Sequence, residues 1–515
     1  MSATTKTARP TLRIMLSSLR VREPIVAIAA ALLLSAGFPK LGAAWLVPVG
    51  TAALFWALSA TSWKRAFFLG WLAGTVFFCI NYAWWTYTIG HDVGPFWAGA
   101  AVFVCAAYDA LAWGASAALY AVAQKRAAAY LAPLAGAAAF AALEFVRSIG
   151  PVGIPFAQLG YTQADTPLRI FAAYGGTYFV TFVLCAIGAY AAYAMRRRTA
   201  RPLLIAAAAI ALAWTGCWLA WPARRAVPPT IPVAAIQGNI VQTLKWQPGS
   251  LALAVHRYSA MTRSIAWLHP RLVVWPETVI AIRGTGLNAD PALESRFASL
   301  AKRLGTTLVV GSIDQHEGDY YNALFFYTGG TRTAIYDKRQ LVPFAEDFPA
   351  SRFLSWLPYV GTLNGGFAAG NVDGVYATRT GLLAAPLICW ESAFADRVYA
   401  QVANGAQFLI VSTDDAWFGR TSGPYQHAQI SQLRAVENGM WVVRAAATGV
   451  SGIIAPDGRW TQRAPMDVQT AVTGKIGPPS GSLFARIGPA PVIGAFALLY
   501  LVLVTRKRRP SEPTA

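Results

Sequence analysis

Pro386-Leu387-Ile388-Cys389-Trp390-Glu391 delivers one cysteine out of an aliphatic run into an aromatic and acidic flank. The run extends back to Leu382, and Leu382–Ile388 reads as a buried strand bounded by turn residues. Comparable runs lie at Ile231–Gln237, Leu272–Trp275, Thr307–Gly311 and Phe408–Ser412. Stretches 248–268, 290–304, 391–403 and 424–438 read as helices. Alternation of strand and helix predicts an α/β layered domain. It begins after Pro222 and the Pro228-Pro229 linker, and no internal repeat or long low-complexity tract interrupts it.

Outside this domain the chain changes character. Its 515 residues exceed the ~150 expected of one domain. Its hydrophobic content of 56%, with 19 Trp, exceeds the ~45–50% typical of soluble domains. The excess sits in residues 24–221 and 487–504. A bilayer core takes roughly 20 apolar residues per helix, and lipid favours helices because every backbone polar group must be satisfied internally. Segments 25–38, 41–60, 66–89, 95–123, 127–147, 169–195, 202–221 and 487–504 are therefore expected to be eight spans.

The formal net charge is +20. Nucleic-acid binding would need that charge on one soluble face. Much of it instead lies in short runs beside apolar segments, where it orients spans. Lys6, Arg9, Arg13, Arg20 and Arg22 precede the first span; Lys64 and Arg65 follow the second; Lys125 and Arg126 follow the fourth. Arg196, Arg197, Arg198 and Arg201 follow the sixth, and Arg506, Lys507, Arg508 and Arg509 follow the last. With eight spans all five clusters share one side, while loops 38–40, 90–94 and 148–168 opposite carry few basic residues. The expected layout is a cytoplasmic segment 1–23, seven spans in 24–221, an extracytoplasmic domain 222–486, an eighth span 487–504 and a cytoplasmic tail 505–515. The basic N-terminus has no clear apolar core with a small-residue cleavage site, so the first stretch reads as a retained helix.

Cys79, Cys105, Cys185 and Cys217 lie in apolar segments and read as small buried hydrophobes. Cys389 has no local partner, which excludes a disulfide framework in the α/β domain. No pair of Cys or His has zinc spacing, and no metal is expected. Asp109 and Glu144 fall within spans, where acids are functional candidates by default. A transporter reading would want an inverted repeat, and none is visible.

Three polar residues mark strand ends, where α/β domains build sites. Glu277 follows Val273-Val274-Trp275-Pro276, Lys338 lies in Tyr336-Asp337-Lys338-Arg339, and Cys389 ends the run quoted above. Singly, such a Glu is more often a cap, such a Lys a surface charge and such a Cys core packing. Their order changes the reading. So do Gln237-Gly238-Asn239 with Lys245-Trp246, Leu341-Val342-Pro343-Phe344, Asp415-Ala416-Trp417-Phe418-Gly419 and Gln426-His427, with Phe145-Val146-Arg147 and Leu159-Gly160-Tyr161-Thr162-Gln163 in the apolar part. The series resembles the nitrilase superfamily, with its Glu–Lys–Cys triad. Within it, the chain is similar over almost its full length to the apolipoprotein N-acyltransferases, bacterial membrane enzymes that complete lipoprotein lipidation.

The resemblance implies an αββα sandwich for the soluble domain and a catalytic triad of Glu277, Lys338 and Cys389. A thiol of pKa ~8.5 needs a base or a positive field to ionise at neutral pH. Glu277 is the candidate base, and Lys338 with a backbone N–H near Trp390 the candidate oxyanion partner. Glu346 matches a second family glutamate, expected to hold Lys338 or the base. Trp246 is expected near an acyl or headgroup pocket or in the core, and Glu391 to orient the Cys389 loop or act as a helix N-terminal acid. Trp390 and Trp417 are expected to support substrate binding, and His427 to be structural. No cofactor is implied. The implied partners are a phospholipid acyl donor, a diacylated apolipoprotein acceptor and the inner-membrane bilayer, with the chain a monomer.

The pattern departs from the family at several positions. Trp390 replaces the usual Tyr, Asp414 an Asn, Met440-Trp441 an Arg-Pro pair, and Ala447 an Asn. Asp414 adds a charge able to alter a nearby pKa. None of these touches the triad, but they bear on donor and acceptor preference. The rival readings are a membrane-tethered nitrilase-type amidase, a divergent paralogue with an altered acceptor, and a non-catalytic membrane partner that kept the fold.

Overall fold

The computed structural model describes residues 9–59, 61–150, 152–225, 227–282, 285–343, 345–346 and 366–505. Lys6, Phe344, Asp347 and the Arg506–Arg509 cluster lie outside the described residues, as do the side chains of Arg9, Arg13 and Arg20.

The first half is helical: α1 (Arg9–Ser35), α2 (Val47–Leu58), α3 (Trp63–Tyr82), α4 (Trp85–Val93), α5 (Pro95–Arg126), α6 (Ala132–Val146), α7 (Ala172–Arg197) and α8 (Arg201–Ala220). Among the described residues, four helical stretches are long and apolar enough to cross a membrane: Trp63–Tyr82, Pro95–Arg126, Pro167–Arg197 and Arg201–Ala220. Ala44–Leu58, Ala132–Val146 and Pro489–Thr505 are shorter apolar helices.

The expected span 66–89 is corrected to two helices. It breaks after Tyr82, where Trp84 and Trp85 leave the helix line to pack on protein: Trp85 stacks on Tyr82 at 4.7 Å, and Trp84 meets Phe418 of the soluble domain at 4.6 Å.

The acids noted within spans are paired. Arg147 is buried, with Nη1 3.1 Å from Asp109 Oδ2 and Nη2 2.7 Å from Glu144 Oε1. It also donates to the carbonyls of Ile154 (2.6 Å) and Phe156 (3.1 Å), fixing the loop after α6.

The second half comprises β1 (Ile231–Gln237), α9 (Gln242–Lys245), α10 (Ser250–Ser264), β2 (Leu272–Val274), α11 (Pro291–Leu304), β3 (Thr307–His316), β4 (Asp319–Thr328), β5 (Thr331–Asp337), β6 (Tyr376–Ala377) and β7 (Leu383–Ile388). Then come α12 (Ala395–Ala403), β8 (Phe408–Thr413), α13 (Gly423–Asn438), β9 (Val442–Ala446), β10 (Gly452–Ile454), β11 (Trp460–Arg463), β12 (Thr470–Ile476), α14 (Leu483–Ile487) and α15 (Pro489–Thr505). Two six-stranded sheets result, ordered β12-β1-β2-β3-β4-β5 and β11-β10-β9-β8-β7-β6. In each, three neighbours run parallel, β1-β2-β3 and β7-β8-β9.

Strand periodicity explains the layering. Val233, Ala235, Leu272, Val274 and Val309 join Ile388, Phe408, Ile410, Val443 and Ala445 in one cluster between the sheets. Their alternates Ala234, Ile236, Val273, Leu308 and Val310 pack outward on Tyr258 of α10 and Phe297 of α11. Ala385, Leu387, Leu409 and Val442 pack outward on Val398 of α12 and Ala435 of α13. Parallel strands covered on both faces read as continuous apolar runs. The domain is thus a helix–sheet–sheet–helix sandwich, as the resemblance implied.

The single helix expected over 391–403 is instead a 3-10 turn, Cys389–Ala393, followed by α12. The turn forms because Cys389 is left-handed (φ +51°) and the Glu391 carboxylate takes the Ile388 amide at 2.8 Å.

Helix α13 locks the two halves together. Glu437 Oε1 accepts from the Thr177 amide at 2.8 Å, at a kink in α7. There Gly176 adopts φ +67°, and a Cβ on it would lie 2.7 Å from the Phe484 ring. Arg434 pairs with Glu437 at 2.5 Å and donates to the Tyr161 hydroxyl at 3.0 Å.

Candidate active site

Carboxyl ends of strands from both sheets converge on one buried polar cluster. Glu277 leaves β2 through Trp275-Pro276, in a turn that lies against β3. Gly311 permits this, since a Cβ there would sit 2.0 Å from the Pro276 carbonyl oxygen. Glu277 is 5% exposed and every donor to it is fixed by the fold. Oε1 accepts from Asn322 Nδ2 of β4 at 2.7 Å and Lys338 Nζ at 3.2 Å, and Oε2 from the Asp414 amide at 2.7 Å. Burial pushes its pKa up, but Lys338, the Asp414 amide, Asn322 and Lys245 outweigh this and hold the carboxylate below its ordinary range.

Lys338 directly follows β5, its amide bonded to the Asn322 carbonyl at 2.8 Å. Its ammonium is buried between Glu277 and Glu346, with Glu346 oxygens at 2.8 and 2.9 Å. Burial alone would lower its pKa; Glu277, Glu346 and Cys389 together raise it, so the lysine is charged. Glu346 is itself held by Asn322 Nδ2 (2.9 Å) and the Val342 amide (2.9 Å).

Cys389 is 8% exposed, at the end of β7. A left-handed conformation in a non-glycine residue costs free energy and recurs at functional sites. Burial, then the Glu277 charge, push the thiol well up, while Lys338 and a Thr413 hydrogen bond pull it down. The resting pair is therefore neutral thiol and carboxylate. Moving the proton from sulfur to Glu277 shifts one negative charge across a region that the Lys338 ammonium serves on both sides.

Glu391 meets the loops rather than the triad. Oε1 accepts from the amides of Arg339 (2.6 Å) and Gln340 (3.1 Å), Oε2 from Ile388, and the Tyr336 hydroxyl lies 3.0 Å from both oxygens. One carboxylate therefore couples the Lys338 loop to the Cys389 turn. Trp390 stacks on Phe156 at 5.1 Å and 17°, joining the nucleophile turn to the loop that Arg147 anchors. His427 spans Asp415 (3.0 Å), Ser392 (2.9 Å) and the Cys389 carbonyl (3.1 Å). The Trp417 ring is 44% exposed, with its carbonyl bonded to Thr88 of α4 at 3.2 Å, and Trp246 is half-buried after α9.

Asn322 and Lys245 are polar members that sequence reading did not assign to the site, and Asp414 entered it only as a departure from the family pattern. Asn322 carried a signal: asparagine is depleted in strands, yet stands mid-run in Tyr320-Tyr321-Asn322-Ala323-Leu324. Among the described residues, Asp314, His316 and Asp337 form a group able to bring ligand atoms within 4.8 Å of one another. It includes no triad member, and the His316 side chain is 40% exposed.

Residues 232–480 match the carbon-nitrogen hydrolase family, and residues 30–190 the apolipoprotein N-acyltransferase N-terminal domain. The chain is 32% identical over 512 residues to the apolipoprotein N-acyltransferase of Methylococcus capsulatus, covering 95% of this chain and 97% of that one. It is 31% identical to that of Coxiella burnetii (85% and 90% covered) and 29% identical to that of Photobacterium profundum (89% of each).

Proposed function

The chain belongs to the apolipoprotein N-acyltransferase family, and from that premise we propose how its residues carry an acyl chain from a phospholipid to the amino terminus of a lipoprotein. It is a membrane acyltransferase of lipoprotein maturation. The observation that carries the residue assignment is the buried cluster of Glu277, Lys338 and Cys389 at the carboxyl ends of strands from two sheets.

In the first half-reaction Glu277 takes the Cys389 proton and the thiolate attacks an ester carbonyl of the donor. Lys338, with a backbone N–H near Trp390, faces the tetrahedral oxyanion. Collapse breaks the ester bond, and the glycerol alkoxide takes the proton back from Glu277. A lysophospholipid leaves and Cys389 holds a thioester. In the second, the α-amino group of an N-terminal diacylglyceryl-cysteine attacks the thioester and loses its proton to Glu277. The expelled thiolate then recovers that proton, giving an amide and the free thiol. This is covalent, ping-pong chemistry. Glu346 holds Lys338, and Glu391 and Trp390 hold the nucleophile turn; Trp246 and Trp417 are assigned to the substrate surroundings.

The finer layout proposed is eight spans, seven within 24–221 and one at 487–504, around a catalytic domain of 222–486. Contacts near the end of α2 support a shared side for the basic clusters. Gln124, beside Lys125, donates to the Leu58 carbonyl at 3.3 Å, and Arg196 to the Trp56 carbonyl at 2.7 Å. The soluble domain meets other loops: Lys40 donates to the Arg420 carbonyl at 2.7 Å, and Thr88 to that of Trp417. With positive charge inside, the termini are cytoplasmic and the active site faces outward from the inner membrane.

Incubation with phosphatidylethanolamine vesicles followed by intact-protein mass spectrometry tests this. One acyl mass should appear, be lost under hydroxylamine, and transfer to a diacylated lipopeptide. Persistence of the adduct in Cys389→Ser would overturn it, and loss of the acyl group to water with none reaching the lipopeptide would favour the amidase reading.

A further inference from the structure

Lys245 ends the short helix α9, is 9% exposed, and has no role in the scheme above. Its Nζ lies 2.5 Å from Asp414 Oδ2 and donates also to the Thr278 hydroxyl. Both partners belong to Glu277. Thr278 is its chain neighbour, held at φ +45°, a conformation that a β-branched residue adopts only under constraint. Asp414 is the residue whose amide donates to Glu277 Oε2 at 2.7 Å. We infer that Lys245 and Asp414 form a positioning pair for Glu277: the lysine pins the Thr278 turn from which that carboxylate projects and cancels the charge Asp414 brings beside it. This rests on Glu277 being the base.

The charge census shows what depends on the pair. Lys338, Glu346, Cys389, Asp414 and Lys245 surround Glu277, with Asn322 as the neutral donor. Tyr258 of α10 faces Asp414 from the other packed element, and Arg257 beside it is held on the Gly238 and Asn239 carbonyls. With the thiol neutral, the carboxylates Glu277, Glu346 and Asp414 stand against the ammoniums of Lys338 and Lys245, a net charge of −1. Without Lys245 the buried cluster would carry −2, and one carboxylate would take up a proton at raised pH. Burial, then repulsion from Glu277, already push Asp414 up, against the pull of Lys245. An asparagine at 414 would instead leave Lys245 uncancelled beside Glu277.

The test is single-turnover thioester formation by the full-length protein on phosphatidylethanolamine vesicles, read by intact mass from pH 3 to 8. For Lys245→Met the acid limb should move up by about one pH unit, with acylation at the parent's half-maximal pH falling about fivefold. For Asp414→Asn it should move down by about half a unit. Lys245→Met/Asp414→Asn should lie within about threefold of the parent at every pH. A Lys245→Met limb that coincides with the parent's, or a double variant as impaired as Lys245→Met, overturns the inference. Should Lys245→Met fail to accumulate, an unmoved limb in Asp414→Asn does so alone. A parent protein that forms no Cys389 adduct at any pH refutes the Glu277–Lys338–Cys389 assignment instead.

Discussion

Glu391→Gln changes one atom type at a residue that is 1% exposed and lies outside the reacting group, so it separates geometry from chemistry. The carboxylate accepts from three backbone amides, at 2.6, 2.8 and 3.1 Å, and from the Tyr336 hydroxyl at 3.0 Å. A carboxamide offers one acceptor oxygen, good for two of these donors, and turns an NH2 toward the rest. Tyr336 can rotate its hydroxyl and accept. At least one backbone amide of the Lys338 loop or the Cys389 turn is then left without a partner. Each buried donor so stranded costs about 1–3 kcal/mol, and the bonds lost were charge-assisted, about twice as strong as neutral ones. A total of about 3–5 kcal/mol is released as loop displacement or as lost stability. At about 1.4 kcal/mol per tenfold in rate, displacement worth half of that slows thioester formation by roughly tenfold to a hundredfold. The assay is single-turnover acylation by intact mass beside a thermal melt. Tyr336→Phe, which removes one hydroxyl donor, should cost only about 1 kcal/mol. Acylation by Glu391→Gln within threefold of the parent, at unchanged melting temperature, would refute the view that this carboxylate holds the two loops in register.

Stability should fall in acid in two stages. Burial and then Arg444 hold His427 below its ordinary value, so the folded state resists protonation that the unfolded chain accepts; stability fully present above ~6.5 is lost as pH falls below it. Asp415, which burial would raise, is brought down to about 2 by Arg444 and His427, so its contribution is present above ~3.9 and is lost as pH falls from there toward 2. Denaturant midpoints against pH should show both declines, and His427→Gln should remove the upper one. In the membrane part, Arg147→Met leaves Asp109 and Glu144 buried without their cation, a loss of about 3–5 kcal/mol. Folded yield in detergent should collapse and return in the triple variant with Asp109→Asn and Glu144→Gln; full yield from Arg147→Met alone would contradict this.

What the chain disclosed depended on how local each feature is. Ile231–Gln237 and Leu383–Ile388 were legible because parallel strands buried on both faces must be apolar throughout. The hairpin β4–β5 was missed although Gly329-Gly330 carries it, both at positive φ, as a two-residue turn between strands requires. Lys338 was placed at a strand end, but the strand that delivers it, β5, was not itself read. The break after Tyr82 was illegible for a different reason: Trp84 and Trp85 are as apolar as the helix before them, and they pack on Phe156, Phe418 and Trp390, all distant in sequence. Lys245 stood in a recognised motif and Asp414 as a departure from one, yet 169 positions separate them. No periodicity links two such residues, so their pairing is tertiary information.

The same long-range contacts explain why the catalytic turn and the helical half form one unit. Lipids differ little in the atoms of their ester groups, so the triad alone gives no reason for a membrane region. Arg147 buries its charge with Asp109 and Glu144 and donates also to the Ile154 and Phe156 carbonyls. Phe156 stacks on Trp390, whose chain neighbours are Cys389 and Glu391. Glu391 in turn carries the Lys338 loop. A continuous series of packed and hydrogen-bonded groups thus runs from an ion cluster among the helices to both sides of the reacting sulfur. The position of the nucleophile is therefore tied to the packing of the helical half as well as to the strand that delivers it.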